Sequence, residues 1–212
     1  SGGCPSPIFP DGSMIALPIP DKRSPVRYRD IVWRQRNLGE LVAGLTRGKQ
    51  RADYRAHLDP DLREGVVARE RGWRPTLGQH GIAQGHLRKQ GVGAGDVFLF
   101  WGLFRAVDHD LRWVGRPEHH IWGFLQVERV VSVDGEARAG GAEWRWARKH
   151  PHWAFPPDPS NTLYVGAQRL SLPGRRGRGL FQHQLSAADL CLVAALRPAR
   201  GHHGLQRLRF SS

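Results

Sequence analysis

Two apolar runs decide the fold of this chain: VFLFWGLF at residues 97–104 and IWGFLQVERVV at residues 121–131. The first run is apolar on both faces, which is typical of a buried central strand, so we expect Trp101 to pack in the core. The second run is its predicted partner strand, in which Gly123 indicates a bulge or a close backbone approach. Alternate residues of this strand share a face. One face combines aromatic rings with an amide and a carboxylate, and it is the candidate wall of a ligand site: Trp122, Phe124, Gln126 and Glu128.

Shorter elements flank these strands. Apolar spacing behind a capping Asn37 predicts a helix up to Leu45, and a second helix is predicted over residues 81–90. Residues 162–165 indicate a short strand, and residues 186–196 indicate a final helix. The predicted class is therefore α+β, with a curved mixed or antiparallel sheet and short flanking helices. A small PUA-like barrel is one form that such a sheet could take.

The length of the chain predicts a single domain over residues 1–212. Residues 182–212 form a predicted helical and basic C-terminal extension within it. No apolar run is long enough to span a membrane, and the N-terminal residues show no signal-peptide pattern. Cys4 and Cys191 lie in unlike surroundings, which argues against a structural disulfide. Together these features predict a cytoplasmic protein with no membrane partner.

The charge of the chain is strongly positive. Lys and Arg number 32 against 19 acidic residues, which gives a net charge of +13, and Arg supplies all but four of the cations. A planar guanidinium fits phosphate well, so this excess favours DNA or a nucleotide as partner. A GC-rich gene also replaces Lys by Arg, which is the alternative explanation. Residues 169–212 hold eight Arg and one acidic residue, so the positive charge is concentrated at this end.

A candidate catalytic or metal-binding series is formed by His57, Asp59 and Asp61. In an extended segment, residues at this spacing direct their side chains to one side, and an imidazole with two carboxylates suits zinc or a harder cation. The pairs His119-His120 and His150-Pro151-His152 could complete a coordination sphere. A polar substrate site and ordinary Asp-Pro-Asp turn chemistry are the other two interpretations, and the sequence leaves all three open. No cofactor motif is evident, and a divalent metal is the cofactor that this series would hold.

A second candidate site contains Gln79, Gln84 and His86; in a helix that starts near Gln79, one face would carry Gln79, Ala83, His86 and Gln90. Amides offer a donor and an acceptor together, which suits the Watson-Crick edge of an extruded base, and Trp122 could supply a stacking plane beside Gln126. In this interpretation Gln79, Gln84, Trp122 and Gln126 bind the base, and His86 is a further catalytic candidate. The alternative is a helix whose glutamines face water.

A phosphate-binding loop is predicted at Arg175, Arg176 and Arg178, which alternate with glycines. A solvated basic loop is the alternative. Neither a nucleophile motif, nor a phosphate loop for nucleotide triphosphates, nor a dinucleotide fingerprint is present.

The serial order of several short motifs resembles the third of the nucleotide-modification-associated domain families. The motifs are GGCPSPI at 2–8, PDG at 10–12, LPIP at 17–20, HLDPD at 57–61, GQ at 78–79 with Gln84 and His86, QGVG at 90–93 with Gly95 and Asp96, and NTLY at 161–164. The resemblance extends over about residues 1–181. It implies a place in bacterial and phage DNA base-modification systems, with other proteins of such a system as partners. Two departures are the missing N-terminal strand that ends in Ser-Arg-Lys-Gly-Phe-Asp and the differing C-terminal helix.

These observations support three hypotheses. In the first, the protein recognises or acts on a base or nucleotide, plain or modified, within a DNA base-modification system. In the second, it is a metal-dependent or acid-base hydrolase or transferase that uses His57, Asp59 and Asp61. In the third, it is a basic structural partner in a modification complex.

Overall fold

The computed structural model describes residues 4–169 and the backbone of residues 178–180 and 209–211. The described elements are two α-helices and eleven strands, joined by short 3-10 and π turns, so the α+β class is confirmed. In chain order they are β1 (Ser6–Ile8), β2 (Ile19–Pro20), β3 (Val32–Trp33), β4 (Arg36–Asn37), α1 (Leu38–Leu45), β5 (Ala56–His57), β6 (Thr76–Gln79), α2 (Gly81–Lys89), β7 (Val97–Ala106), β8 (Glu118–Ser132), β9 (Thr162–Gly166), β10 (Arg178–Leu180) and β11 (Arg209–Ser211).

The chain divides into two compact units. The first unit contains residues 1–17, 94–127 and 167–212, and the second unit contains residues 18–93 and 128–166. Strand β8 belongs to the first unit up to Val127 and to the second unit from Glu128 onward.

The first unit is built on the two predicted long strands. β7 and β8 pair antiparallel, and β1 and β11 both pair parallel to β7, which makes the sheet mixed. The register shifts between Phe100, which faces Gly123, and Trp101, which faces Ile121. Trp122 is thus the extra residue of a bulge, as Gly123 had indicated.

The core of this unit differs from the sequence prediction at two points. Phe124 packs with Met14, Leu99 and Phe104, and Trp122 lies against the same cluster, so the predicted ligand wall is largely core. Trp101 was expected in the core, but it is 37% exposed, because the face of β7 that it shares with Leu99 and Leu103 is covered at Leu99 and not at Leu103.

Helix α1 of the second unit confirms the predicted helix after Asn37. The Asn37 Oδ1 accepts hydrogen bonds from the backbone N–H groups of Gly39 and Glu40, which caps the helix. Its apolar face is buried through Leu38, Leu41, Val42 and Leu45.

In the second unit, strands β6 and β9 form a two-strand ladder. They pair antiparallel, with Leu77 opposite Tyr164, Gly78 opposite Leu163 and Gln79 opposite Thr162. Helix α2 follows β6 after one residue and matches the predicted helix, while the strand predicted at 162–165 is β9. The neighbouring core contains Val131, Val133, Ala137, Trp144, Ala147, Leu163 and Val165.

The central strand order is β1-β7-β8-β9-β6, which is open at both ends among the described residues, so no barrel closes there. None of the helices in the described part of the chain combines the length and the apolar character needed to cross a bilayer. The predicted helix at 186–196 and most of the predicted extension at 182–212 lie outside the described residues.

Candidate metal and nucleotide site

Three side chains of the second unit converge on one point: His57, Asp59 and His152. The Asp59 Oδ2 lies 3.6 Å from His57 Nε2 and 3.4 Å from His152 Nε2. The side chains of Asp59 and His152 are almost completely buried, whereas that of His57 is 15% exposed. Solvent therefore reaches the cluster from the side of His57.

Strand pairing explains how distant segments meet at this point. His57 ends β5, and its partner in β2 is Ile19, so Asp21 follows β2 directly beside the imidazole of His57. Asp59 comes two residues after His57, and its carboxylate reaches the backbone of β6 at Gly78. His152 lies in the 3-10 helix Pro151–Ala154, which precedes β9.

The ring nitrogen of His57 that is turned away from Asp59, Nδ1, is hydrogen-bonded to a carboxylate. Its Nδ1 lies 2.8 Å from Asp21 Oδ2, and an ionised carboxylate can only accept, so Nδ1 carries the proton. In the neutral imidazole, Nε2 then bears a lone pair and faces Asp59.

The ring nitrogen of His152 that is turned away from Asp59, Nδ1, is hydrogen-bonded to an amide. Asn161 Nδ2 donates to the backbone carbonyl of His152 at 2.9 Å, which orients the amide, and Asn161 Oδ1 then lies 2.8 Å from His152 Nδ1. Because Oδ1 is an acceptor, His152 Nδ1 is the donor and its Nε2 bears the lone pair.

The two oxygens of Asp59 have different surroundings. Oδ1 accepts the backbone N–H of Gly78 at 2.9 Å and lies 3.4 Å from His150 Nε2. The Nδ1 of His150 accepts the backbone N–H of His152, so the proton of a neutral His150 is on Nε2, which lies near this oxygen without forming a hydrogen bond to it. Oδ2 is the oxygen that faces the two lone pairs of His57 and His152.

Three acceptor atoms therefore face each other with no proton between them when both histidines are neutral. Two ligand atoms about 2.1 Å from one metal, at a tetrahedral angle, lie about 3.4 Å apart, which is close to the distances of 3.6 and 3.4 Å from Asp59 Oδ2 to the two imidazole nitrogens. Two histidines and one carboxylate are a common ligand set for zinc and iron(II). The hydrogen bonds from His57 to Asp21 and from His152 to Asn161 are the outer contacts that orient metal-binding histidines.

Electrostatics inside the cluster keep the carboxylate ionised. Burial alone would raise the pKa of Asp59, but His150, His152 and His57 together hold it well below its ordinary value. Burial lowers the pKa of His57, yet Asp59 and Asp21 outweigh this effect and raise it above the ordinary value. Without a cation, protonation of His57 is thus the alternative way to relieve the convergence of acceptors.

Packing fixes the side chain of His152. The ring of His152 lies 4.6 Å from the ring of Phe155, measured between centroids, and a Cβ at Gly78 would come within 2.2 Å of His152 Cδ2. Arg138 donates to the backbone carbonyls of Trp153 and Phe155 at 2.7 and 2.9 Å, which anchors the segment that carries His152.

The predicted series at residues 57–61 is only partly assembled. His57 and Asp59 come together, but Asp61 does not join them, because the guanidinium of Arg69 binds both of its carboxylate oxygens at 2.5 and 2.6 Å. Asp61 also exchanges two backbone hydrogen bonds with Thr76, which directs its side chain toward Arg69. The expectation that all three side chains share one side is wrong for Asp61.

The predicted base-binding residues of the second unit lie around α2. Gln84 is buried, and its Oε1 accepts a hydrogen bond from the hydroxyl of Tyr164 at 2.9 Å, so this amide oxygen already has a partner inside the protein. Gln79 is half-buried on β6, and His86 is exposed on α2. A role for these three residues in catalysis or base binding stays a prediction.

The remaining predicted residues belong to the first unit. Trp122 is half-buried with its ring 5.5 Å from that of Phe100, and Gln126 is buried with its Nε2 donating to the Gly95 carbonyl at 3.1 Å. Arg175 and Arg176 lie outside the described residues, and only the backbone of Arg178 is described, as part of β10.

Sequence reasoning noticed the pair His150 and His152 but did not identify Asp21 or Asn161. Asp21 follows the LPIP motif and Asn161 begins the NTLY motif, so both signals were present as motifs without an assigned role.

A protein-family model described as nucleotide modification associated domain 3 matches residues 1–202. No curated protein and no solved structure gives a significant match to this chain.

Proposed function

Because the chain belongs to the nucleotide modification associated domain 3 family, we propose that it is a metal-dependent enzyme that acts on a nucleotide. In this proposal His57, Asp59 and His152 hold one divalent ion of the zinc, manganese or iron(II) class. The substrate is a nucleotide, free or within DNA, of a base-modification system.

One arrangement carries this proposal: the three inward atoms are all acceptors when both histidines are neutral. The outward nitrogens of His57 and His152 donate to Asp21 and Asn161, and the inward oxygen of Asp59 has no proton to offer. Buried acceptors repel each other, and a divalent cation removes that repulsion. The burial of Asp59 beside three histidines is also costly unless its charge is balanced.

The chemistry that suits this set is hydrolysis or group transfer. Three protein ligands leave coordination positions for water and for the reacting group of the substrate. A divalent ion held by His57, Asp59 and His152 would lower the pKa of a water molecule and so supply a nucleophile for hydrolysis or group transfer.

The positive charge of the chain supports a nucleotide or DNA as the substrate class. In the first unit, Arg175, Arg176 and Arg178 are separate candidates for contact with the phosphates of a strand, and Trp122 and Gln126 are separate candidates for contact with a base. His57 is the most exposed of the three proposed ligands, so we expect the substrate to approach from its side.

Acid-base chemistry without a metal is the second candidate, and the raised pKa of His57 favours it. In that case a protonated His57 would donate to Asp59, and the pair would transfer protons to and from the substrate. The two candidates differ in their response to a chelator.

The test uses the purified full chain, treated with chelator and then supplied with Zn²⁺, Mn²⁺ or Fe²⁺. It is incubated with deoxynucleotides and with DNA, and the nucleosides are analysed by mass spectrometry. We expect a mass change that the chelator abolishes, that one metal restores and that His152→Ala lacks. His109→Ala, at an exposed histidine of the first unit, is the control that retains it. A mass change that survives the chelator and His152→Ala would support the acid-base candidate instead.

A further inference from the structure

We infer that Arg23 binds a phosphate group of the nucleotide at the metal site. This inference rests on the proposed function, because it names the chemical group that the same site recognises. It concerns a residue that no motif in the sequence had marked.

The side chain of Arg23 is held at two points. Its Nε donates to Asp21 Oδ1 at 3.3 Å, and its Cζ lies 4.1 Å from the centroid of the Phe155 ring. The backbone N–H of Arg23 also donates to Asp21 Oδ1, at 3.0 Å. The guanidinium is thereby fixed although the side chain is 53% exposed.

Both anchors of Arg23 belong to the metal site. Asp21 bonds Arg23 through Oδ1 and His57 through Oδ2, so one carboxylate links the guanidinium to a proposed metal ligand. Phe155 contacts Arg23 on its ring face and also packs 4.6 Å from the His152 ring, centroid to centroid. Arg23 is therefore placed beside the exposed side of the cluster, where we expect the substrate.

The binding edge of the guanidinium is still available. Among the described residues, neither Nη1 nor Nη2 of Arg23 forms a hydrogen bond, since Asp21 uses Nε and Phe155 uses the flat face. The two Nη groups form a fork that matches two oxygens of a phosphate. An Arg whose stem and face are fixed loses little freedom when it binds such a group.

Charge points to an anion as well. A divalent ion at the site would balance the carboxylates of Asp21 and Asp59, and Arg23 would then add one positive charge in excess of these two carboxylates. A phosphate ester of a nucleotide supplies the missing negative charge. The phosphate could belong to a free nucleotide or to a nucleotide within a strand, and the experiment separates these sources.

Arg51 provides a matched control. It too is an exposed arginine of the second unit, paired through Nε with an aspartate two residues away, Asp53, and lying near an aromatic ring, that of Tyr54. No contact joins Arg51 to the residues of the metal cluster among the described hydrogen bonds and ion pairs.

The experiment measures zinc affinity and nucleotide affinity for the wild type, Arg23→Ala, Arg23→Lys and Arg51→Ala. The nucleotide probes are the four deoxynucleoside 5′-monophosphates, their nucleosides and a short single-stranded oligonucleotide, each titrated with and without zinc. Loss of a bidentate charged contact predicts that Arg23→Ala weakens monophosphate binding by about 10- to 100-fold. Arg23→Lys should retain part of the monophosphate affinity. Nucleoside affinity and zinc affinity should not change in either Arg23 variant. Arg51→Ala should bind monophosphates, nucleosides and zinc as the wild type does.

The two proposals fail in different ways. Zinc that does not bind the wild-type protein would overturn the metal site, and the zinc-free titrations would still test Arg23. Monophosphate and oligonucleotide affinities that are equal in Arg23→Ala and wild type would overturn the phosphate role. Loss of zinc from Arg23→Ala would also overturn it, because Arg23 would then act through Asp21 alone. An effect confined to the oligonucleotide, or to the monophosphates, identifies the source of the phosphate.

Discussion

The imidazole of His152 occupies the space that a side chain at Gly78 would need. A Cβ at position 78 would lie 2.2 Å from His152 Cδ2 and 2.7 Å from His152 Nε2, both far below contact distance. The backbone N–H of the same glycine donates to Asp59. A single position on β6 therefore fixes two of the three proposed metal ligands.

Gly78→Ala should displace His152 and reduce zinc affinity by about tenfold or more, because misplaced ligands bind metal poorly. The β6–β9 ladder uses backbone groups that the substitution keeps, so the circular dichroism spectrum should stay close to wild type. Competition with a chromophoric chelator measures the zinc affinity. Gly85→Ala, where an added Cβ meets no atom within 4 Å, is the control. Equal zinc affinity in Gly78→Ala and wild type would contradict this explanation.

Asn161→Ala should weaken zinc binding by roughly 10- to 100-fold, since it removes the group that orients His152 Nδ1. Asn161→Asp keeps an acceptor for His152 Nδ1 but loses the donor to the His152 carbonyl, so its zinc affinity should lie between those of Asn161→Ala and the wild type. Calorimetric zinc titration of both variants checks the prediction. If alanine and aspartate at this position gave the same affinity, Asn161 would have no orienting role.

Asp59→Asn and Asp61→Asn should have opposite consequences although the residues are close in sequence. Asp61 forms a buried ion pair with Arg69, so its loss should cost about 3–5 kcal/mol of unfolding free energy and leave zinc stoichiometry intact. Asp59→Asn should abolish stoichiometric zinc binding, because it removes the ligand charge. Urea unfolding and metal analysis on both variants test the pair. If the Asp61→Asn protein remained folded but no longer bound zinc, Asp61 would have to be counted as a metal ligand with His57 and Asp59.

Tyr164→Phe should lower the unfolding free energy by about 1–3 kcal/mol, because it leaves the buried Gln84 Oε1 without its donor. Nucleotide affinity should not change if Gln84 serves packing. Thermal unfolding and a nucleotide titration give the two readings. A stable variant with weaker nucleotide binding would favour the base-reading role of Gln84 instead.

Replacement of Arg175, Arg176 and Arg178 by alanine should flatten the dependence of DNA affinity on salt. Each lost phosphate contact on a single strand reduces the slope of log K against log salt by about 0.7. Fluorescence anisotropy with a labelled oligonucleotide at several salt concentrations measures the slope. An unchanged slope would remove this loop from the DNA interface.

Local pattern sufficed for the two helices, the two long strands and the strand at 162–165. The cap at Asn37, the apolar runs of β7 and β8 and the glycine at 123 predicted α1, the central strands and the bulge, because each depends on neighbouring residues. The exposure of Trp101 was missed, since tertiary packing covers Leu99 but not Leu103 on the same face of β7, and the apolar run alone does not show where that cover ends.

The site was less accessible to sequence reasoning. His57 and Asp59 were found because they are adjacent in an extended segment, but Asp61 was wrongly grouped with them, since its pairing with Thr76 and Arg69 is a tertiary effect. Among eleven histidines, nothing local distinguishes His152 as the third ligand. Only the fold brings it to Asp59, and only its contact with Asn161 shows which nitrogen faces inward.

The most direct test of the metal site is an anomalous difference map from crystals of the full chain grown with zinc and recorded at the zinc edge. The proposal predicts one strong peak about 2.0–2.2 Å from His57 Nε2, Asp59 Oδ2 and His152 Nε2. A map with no peak among these three atoms, in crystals where zinc occupies other positions, would contradict it.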